Sequence, residues 1–365
     1  MTMWEDSGYA YAKAGWIIGK SFLGKRISSL SCLHTLSELD RLIFPDDYHD
    51  LPGRELLPSL ERRIKERGAR QILSVVNSYS APAKLLVRLL KGFEYEDLKE
   101  CLGHIASGRN ELPVISDIGR FNTVRFDAFP DIGAMIKKTE YENILPNEIK
   151  FIKQGSDLTP IEAKLDYRFY NGLTDSLAQL EAEDRETASR LIADEISLRN
   201  CFWALRLRTY FQKSENETAK YLMDFKLPVN NHQKRASLSS EAKLSLDFSL
   251  DIRQDWRGWR WERFLNPEPA IEAVTSAKND NYSLPVSSIS WAVDPRHFQN
   301  AALQYLYHLC FHNFHSSPMS ISAIYCFIKL MQFEEDLLTS VAEGLALGID
   351  STAVFKMLEH PAEAG

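Results

Sequence analysis

The sequence lacks the patterns that mark membrane, secreted and nucleic-acid-binding proteins. No apolar run approaches the ~20 residues that a helix needs to cross a bilayer, and the first residues do not have the basic-then-apolar order of a signal peptide. The five cysteines form no CxxC pair, so neither a disulfide framework nor a thiolate zinc site is indicated. The net charge of −7 disfavours a nucleic-acid partner. These absences favour the cytosol.

The sequence also lacks the motifs of common enzyme classes. It has no GxSxG, GxGxxG or DxDxDG pattern, and no pair of carboxylates stands out by its spacing for acid–base catalysis. Gly19-Lys20-Ser21 resembles the end of a phosphate-binding loop, but Ala14 stands where that motif requires a glycine and no apolar strand precedes it. We therefore predict a helix here, no nucleotide binding, no cofactor and no catalytic residue.

Helical periodicity is what the sequence does have, most clearly between Pro318 and Ile349. Ser320 or Ser322 can cap a helix there, and Gly344 or Gly348 can end it. One apolar stripe runs along this helix: Phe327, Leu330, Met331, Leu337, Leu338, Val341 and Leu345. Glu334 lies on the same stripe, where a carboxylate must find a hydrogen-bond donor or reach the rim. By contrast, we expect the charged residues 61–67 to form a solvated face.

Weaker versions of this C-terminal pattern occur twice earlier in the chain. Tyr95-Glu96-Asp97-Leu98, Glu195-Ile196-Ser197-Leu198 and Glu334-Glu335-Asp336-Leu337 each precede apolar residues about one and two turns on. The spacing suits a domain built from three related helical parts. We predict an all-α protein with parts at residues 1–115, 116–235 and 236–365. The repeat positions Leu98, Leu198 and Leu337 should each be buried in one part.

Residues 251–263 concentrate tryptophan and arginine, the composition of protein–protein contacts. The candidate partner contacts are Trp256, Arg257, Trp259 and Arg260. Nearby acidic residues almost cancel the charge, which argues against a nucleic-acid surface. An alternative is that these tryptophans attach a long connection to the core.

Three histidines, His308, His312 and His315, follow helical spacing and share one face. In principle such a face holds a metal, but the glutamate of the HExxH motif is missing. Surface or structural histidines are the favoured interpretation. A helical metal-binding protein or enzyme that uses these histidines is the alternative function.

The chain resembles the AC39 family of V-type (V/A-type) ATPase components, also called the C/d or NtpC-like family, of bacterial or archaeal type. The resemblance is carried by Pro318 to Ile321, Glu334 to Leu337, Ala342 to Gly348, Glu195 to Asn200 and Tyr9 to Phe22. It covers nearly the full length, though diffusely outside these elements. The departures are Ser197 where an Asp is usual, and Glu100 and Thr339 where an Asn is usual.

The resemblance implies three similar helical parts in a pseudo-threefold, funnel-like arrangement, which agrees with the repeats. It also implies a non-catalytic rotor subunit that links the central stalk subunits to the membrane proteolipid ring. Such a subunit transmits torque for ATP-coupled proton or sodium transport. It lies at the cytoplasmic face of the membrane as a peripheral part of the complex, without a span of its own.

Overall fold

A computed structural model describes residues 3–145, 152–223, 225–229, 232–235, 295–349 and 351. The protein is all-α. The helices within these residues are α1 (Met3–Lys20), α2 (Leu36–Ile43), α3 (Gly53–Val76), α4 (Lys84–Ala106), α5 (Ile132–Met135), α6 (Glu140–Ile144), α7 (Thr159–Leu177), α8 (Ala182–Thr209), α9 (Glu215–Ala219), α10 (Pro295–Ser316) and α11 (Ile321–Ala346). Short 3₁₀ helices lie at Gly24–Ser29, Gly119–Phe121 and Phe126–Ala128.

One short antiparallel ribbon was not predicted from the sequence. Strand β1 (Lys226–Val229) pairs with β2 (His232–Arg235), with Lys226 opposite Arg235. A strand pair this short carries too little alternation for a pattern of period two to be recognised.

The chain forms two compact units. The first comprises Met1–Arg185 and Cys310–Met357, and the second comprises Glu186–Leu309 and Leu358–Gly365. The C-terminal helix α11 therefore belongs with the beginning of the chain. The division into parts at residues 1–115, 116–235 and 236–365 stays a prediction.

Within the first unit, α11 is the central helix. It packs mainly on α3 and also on α1, α2 and α4, and α4 in turn packs on α7. Residues 321–328 of α11 are buried on every side, as expected for a helix that is apolar all round in a core. The neighbouring core between α4 and α7 includes Tyr95, whose ring lies 4.8 Å from that of Tyr141 and 5.5 Å from that of Phe169.

The ends of α11 follow the predicted signals. Ser320 is the N-cap, and its hydroxyl accepts from the Ala323 N–H at 2.9 Å. Asp184 adds a second cap, since its carboxylate accepts from the Ser322 N–H at 2.9 Å. Gly348 adopts φ 72°, a left-handed conformation that glycine reaches without strain and that commonly follows a helix end.

The predicted stripe of α11 is confirmed except at one position. Phe327, Leu330, Leu338 and Val341 are fully buried, but Leu337 is only partly buried. The prediction that Leu337 lies in the core is therefore wrong. Successive helical residues are separated by about 100°, and at this end of α11 only Leu338 lies on the side that other helices cover.

Leu338→Ala should destabilise the protein by about 2–5 kcal/mol, as expected for a buried leucine. Leu337→Ala is the matched control on the same helix, and its cost should be clearly smaller. Urea unfolding of both variants measures the difference. An equal or larger loss for Leu337→Ala would contradict the assignment of the two positions.

Candidate functional site

A buried carboxylate joins three separate segments of the first unit. Glu334 on α11 is 2% exposed. Its Oε1 accepts from the Phe22 N–H at 2.7 Å, just beyond α1, and from Arg67 Nη2 on α3 at 3.2 Å. The expectation that Glu334 finds a donor is confirmed. The bonds join α11 to the start of the chain across 312 residues.

A second buried carboxylate lies on α4. Glu94 is 0% exposed and accepts from the N–H groups of Thr123 and Val124, the latter at 2.6 Å. The Tyr141 hydroxyl donates to its other oxygen at 2.9 Å. Glu94 therefore holds the irregular segment before α5 and the short helix α6 against α4.

The second unit has a comparable arrangement on α8. The Asp194 carboxylate is buried and accepts from the Tyr305 hydroxyl on α10 at 2.9 Å. Six residues later, the buried Asn200 amide donates to the Met223 carbonyl and accepts from the Met223 N–H, both at 2.9 Å. The Asn200 amide thus supplies hydrogen-bond partners to both backbone groups of Met223, which lies just beyond α9.

These three carboxylates share one sequence register, which the repeat predicted from the sequence had missed by one residue. Each is followed by a buried leucine four residues on and a buried apolar residue seven residues on: Glu94, Leu98 and Cys101; Asp194, Leu198 and Cys201; Glu334, Leu338 and Val341. In the first two copies the acid is Glu94 or Asp194, one residue before the predicted Tyr95 or Glu195. In the third copy the buried leucine is Leu338, one residue after the predicted Leu337. The predicted repeat positions Leu98 and Leu198 are buried.

Further ion pairs surround α3, where a solvated face had been expected. Arg63 is buried, and its Nη1 lies 2.7 Å from the Asp40 carboxylate. Lys65 Nζ lies 2.9 Å from Asp97 and 3.0 Å from Glu100. Burial alone would lower the pKa of Lys65, but the neighbouring carboxylates, Asp97 foremost, outweigh it and raise the pKa.

The sequence does contain one indication that these basic residues form buried ion pairs, which is their position beside the apolar stripe of α3. Arg63 and Arg67 are four residues apart and adjoin Leu60 and Ile64, which are buried. Positively charged side chains at the edge of a buried stripe meet acidic groups of neighbouring helices more readily than those on the opposite face.

Glu335 lies close to this network on the face of α11 that meets α3. A Cβ at Gly68 would lie 2.9 Å from Glu335 Oε2, so the glycine makes room for the carboxylate. Burial raises the pKa of Glu335 to about 8, with a further contribution from the Asp336 charge, while Lys65 opposes the shift.

The predicted metal-binding alternative gains no support. His308, His312 and His315 are exposed. The His312 ring is within 3.3 Å of the Ser316 hydroxyl, and the His315 ring packs 4.9 Å from that of Phe311. In the part of the chain that the structure describes, no group of three or more His, Cys, Asp or Glu side chains could hold a metal ion.

The tryptophan–arginine segment with Trp256, Arg257, Trp259 and Arg260 lies outside the described residues. Among the helices that the structure does describe, none combines the length and apolar character needed to cross a membrane.

Taken together, these contacts define an all-α scaffold in which buried carboxylates join segments that are distant in the sequence. The model of the ATP synthase (C/AC39) subunit family matches residues 25–245, more than half of the chain. The chain belongs to this family of V-type ATP synthase subunits. It is also similar to an uncharacterized protein of Treponema pallidum (strain Nichols), with 25% identity over 345 residues, covering 93% of this chain and 92% of the relative.

Glu334→Gln should destabilise the protein by about 1.5–3 kcal/mol, the typical contribution of a hydrogen bond to a charged group. Both donors bind the same oxygen, Oε1; the neutral amide oxygen can still accept from the Phe22 N–H, but the charge that pairs with Arg67 is lost. Urea unfolding measures this loss. Glu343→Gln, an exposed position on the same helix, is the control and should change stability by less than about 0.5 kcal/mol.

Glu335→Gln should stabilise the protein increasingly as the pH rises. Because the pKa of Glu335 is about 8 in the fold and 4.5 ordinarily, the folded state keeps a proton that the unfolded chain has lost. The free energy of unfolding of the wild type therefore falls as the pH rises from 4.5 towards 8, because ionisation of Glu335 favours the unfolded chain. The glutamine variant has no proton to lose at this position, so its stability does not fall for this reason. Unfolding midpoints at pH 4.5 and pH 8 test this, and a gap that stays constant or narrows would contradict it.

Proposed function

We propose that this protein is the non-catalytic rotor subunit that links the central stalk of a V-type ATPase to the membrane proteolipid ring. In this role it transmits torque between ATP hydrolysis or synthesis in the soluble head and proton or sodium movement through the membrane. The protein would lie at the cytoplasmic face of the membrane, with the nucleotide and ion sites on other subunits.

The single observation that carries the proposal is the match to the ATP synthase (C/AC39) subunit family. The geometry of the first unit supports it. A coupling subunit must keep its helices docked while a load passes through them, and Glu334 joins α11 both to α3, through Arg67, and to the end of α1, through Phe22. Moving α11 away from either segment would break one of these bonds to a buried charge.

The arrangement of the parts belongs to the same proposal. The carboxylate register shared by α4, α8 and α11 supports three related helical parts, and a pseudo-threefold, funnel-like arrangement would let them surround the foot of a stalk. Trp256, Arg257, Trp259 and Arg260 remain our candidates for partner contacts.

The test compares ATP hydrolysis and ion transport in vesicles reconstituted with and without this protein. We expect hydrolysis by the soluble head to persist without it, while ATP-driven ion transport is lost and returns on adding the protein back. Leu338→Ala should lower the transport that accompanies each hydrolysis. The combined His308→Ala, His312→Ala and His315→Ala variant is the control and should behave as wild type.

Ion transport that stays undiminished without the protein would overturn the proposal. ATP hydrolysis by the purified chain alone would do the same, since it would make the chain catalytic. Loss of transport in the histidine variant with no effect of Leu338→Ala would contradict the structural basis of the proposal.

A further inference from the structure

Helix α1 exposes two large aromatic side chains on the face opposite the core. Ala10, Ala14 and Ile17 are buried at 0%, 0% and 4% exposure, whereas Tyr9 and Trp16 are 60% and 62% exposed. These two aromatics are seven residues apart, so they lie two turns apart on one face. Tryptophan and tyrosine are the side chains that most often anchor protein–protein contacts. We call the surface formed by Tyr9, Ala12, Trp16, Gly19 and Lys20 the α1 face.

The segment that contains α1 and the turn after it is basic within an acidic protein. Residues 7–37 contain Lys13, Lys20, Lys25 and Arg26 but no aspartate or glutamate, although the whole chain has a net charge of −7. Lys20 Nζ lies over the Trp16 ring at 4.0 Å from its centroid. Lys20, Lys25 and Arg26 are exposed. A partner that covers this surface is therefore expected to present acidic side chains.

Small residues lie beside the two aromatic side chains, and Gly15 adjoins the α1 face next to them. Ala12 and Gly19 are exposed and Gly15 is partly exposed. A Cβ added at Gly15 or Gly19 would meet no atom from elsewhere in the described chain within 4 Å, so packing within the protein does not require glycine there. Each glycine costs about 1 kcal/mol relative to alanine inside a helix. Because glycine has no Cβ, these positions would allow the backbone of a second molecule to approach α1 closely.

We propose that the α1 face binds an acidic α-helix of a neighbouring subunit. Trp16 is the anchor, the partner backbone passes over Ala12, Gly15 and Gly19, and Lys20 faces the acidic side chains. A helix fits better than a lipid surface, because headgroups gain nothing from the missing Cβ atoms. This inference rests on the proposed function, since it names one contact of the subunit within the ATPase.

The experiment adds full-length protein to ATPase assemblies isolated from cells that lack it, and measures binding by co-sedimentation. Trp16→Ala and Gly15→Leu should each weaken binding about tenfold or more, as expected at an anchor position. Tyr167→Ala and Gly103→Leu are the matched controls and should bind as wild type. Tyr167 is 47% exposed on α7, and Gly103 on α4 is equally open to an added Cβ. Circular dichroism confirms that each variant is folded.

A photo-cross-linking amino acid at position 16 identifies the partner segment. We expect a cross-link to an acidic helix of another ATPase subunit. We also expect Lys20→Glu to weaken binding, and an acid→Lys change in that helix to restore it. Restoration by a charge exchange distinguishes a direct contact from a general loss of fold.

The possible failures are distinguishable. No binding of the wild type to the assembly overturns the proposed function and the inference with it. Binding that Trp16→Ala and Gly15→Leu leave unchanged overturns the inference alone. Binding of wild type but not Trp16→Ala to phosphatidylglycerol vesicles, or a cross-link within the same chain, would show a different occupant and also overturn it.

Discussion

A carboxylate placed on the buried face of a helix must receive hydrogen bonds from other segments, and much of the described structure follows from this constraint. Glu334, Glu94 and Asp194 each lie one turn before a buried leucine. At that position the side chain cannot reach water, so donors from elsewhere in the chain have to come to it. Removing such a donor leaves an unpaired buried charge, which is strongly destabilising. The carboxylates therefore fix which segments lie beside each helix as well as stabilising them.

The donors differ among the three copies, and the difference matters for what each helix holds in place. Backbone N–H groups at Phe22 and Val124 can be brought to a carboxylate only by positioning whole irregular segments. Tyr141 and Tyr305 reach their carboxylates through hydroxyl groups at the end of rigid rings. A positive charge reaches two of the copies: Arg67 lies 3.2 Å from Glu334, and Lys91 lies 3.4 Å from Glu94 on the same helix. The copies on α4 and α11 thus both combine a backbone bond with an ion pair, but only on α11 does the cation come from another helix, α3.

Sequence patterns predicted the helices, the Ser320 cap and the need of Glu334 for a donor, because these depend on local spacing and on the cost of a buried charge. The register of the repeat was harder. Leu337 and Leu338 are both compatible with an apolar stripe of period 3.6, and only packing decides which points inward. Local patterns also could not show that α11 packs on α3, because that contact joins distant parts of the chain. The cations of α3 were misread for the same reason, since Arg63 and Arg67 find acids on other elements.

The two faces of α1 connect the proposed partner contact to this buried network. The inner face fits against α3 and α11, and the helix is followed directly by Phe22, whose N–H meets Glu334. Lys13 adds a bond from α1 to the Ser74 carbonyl on α3 at 2.7 Å. A force applied at Trp16 would therefore reach α11 and α3 through a helix that is held along its length and at its end. The exposed aromatics of α1 therefore lie on a helix whose inner face packs on the two helices, α3 and α11, that Glu334 joins.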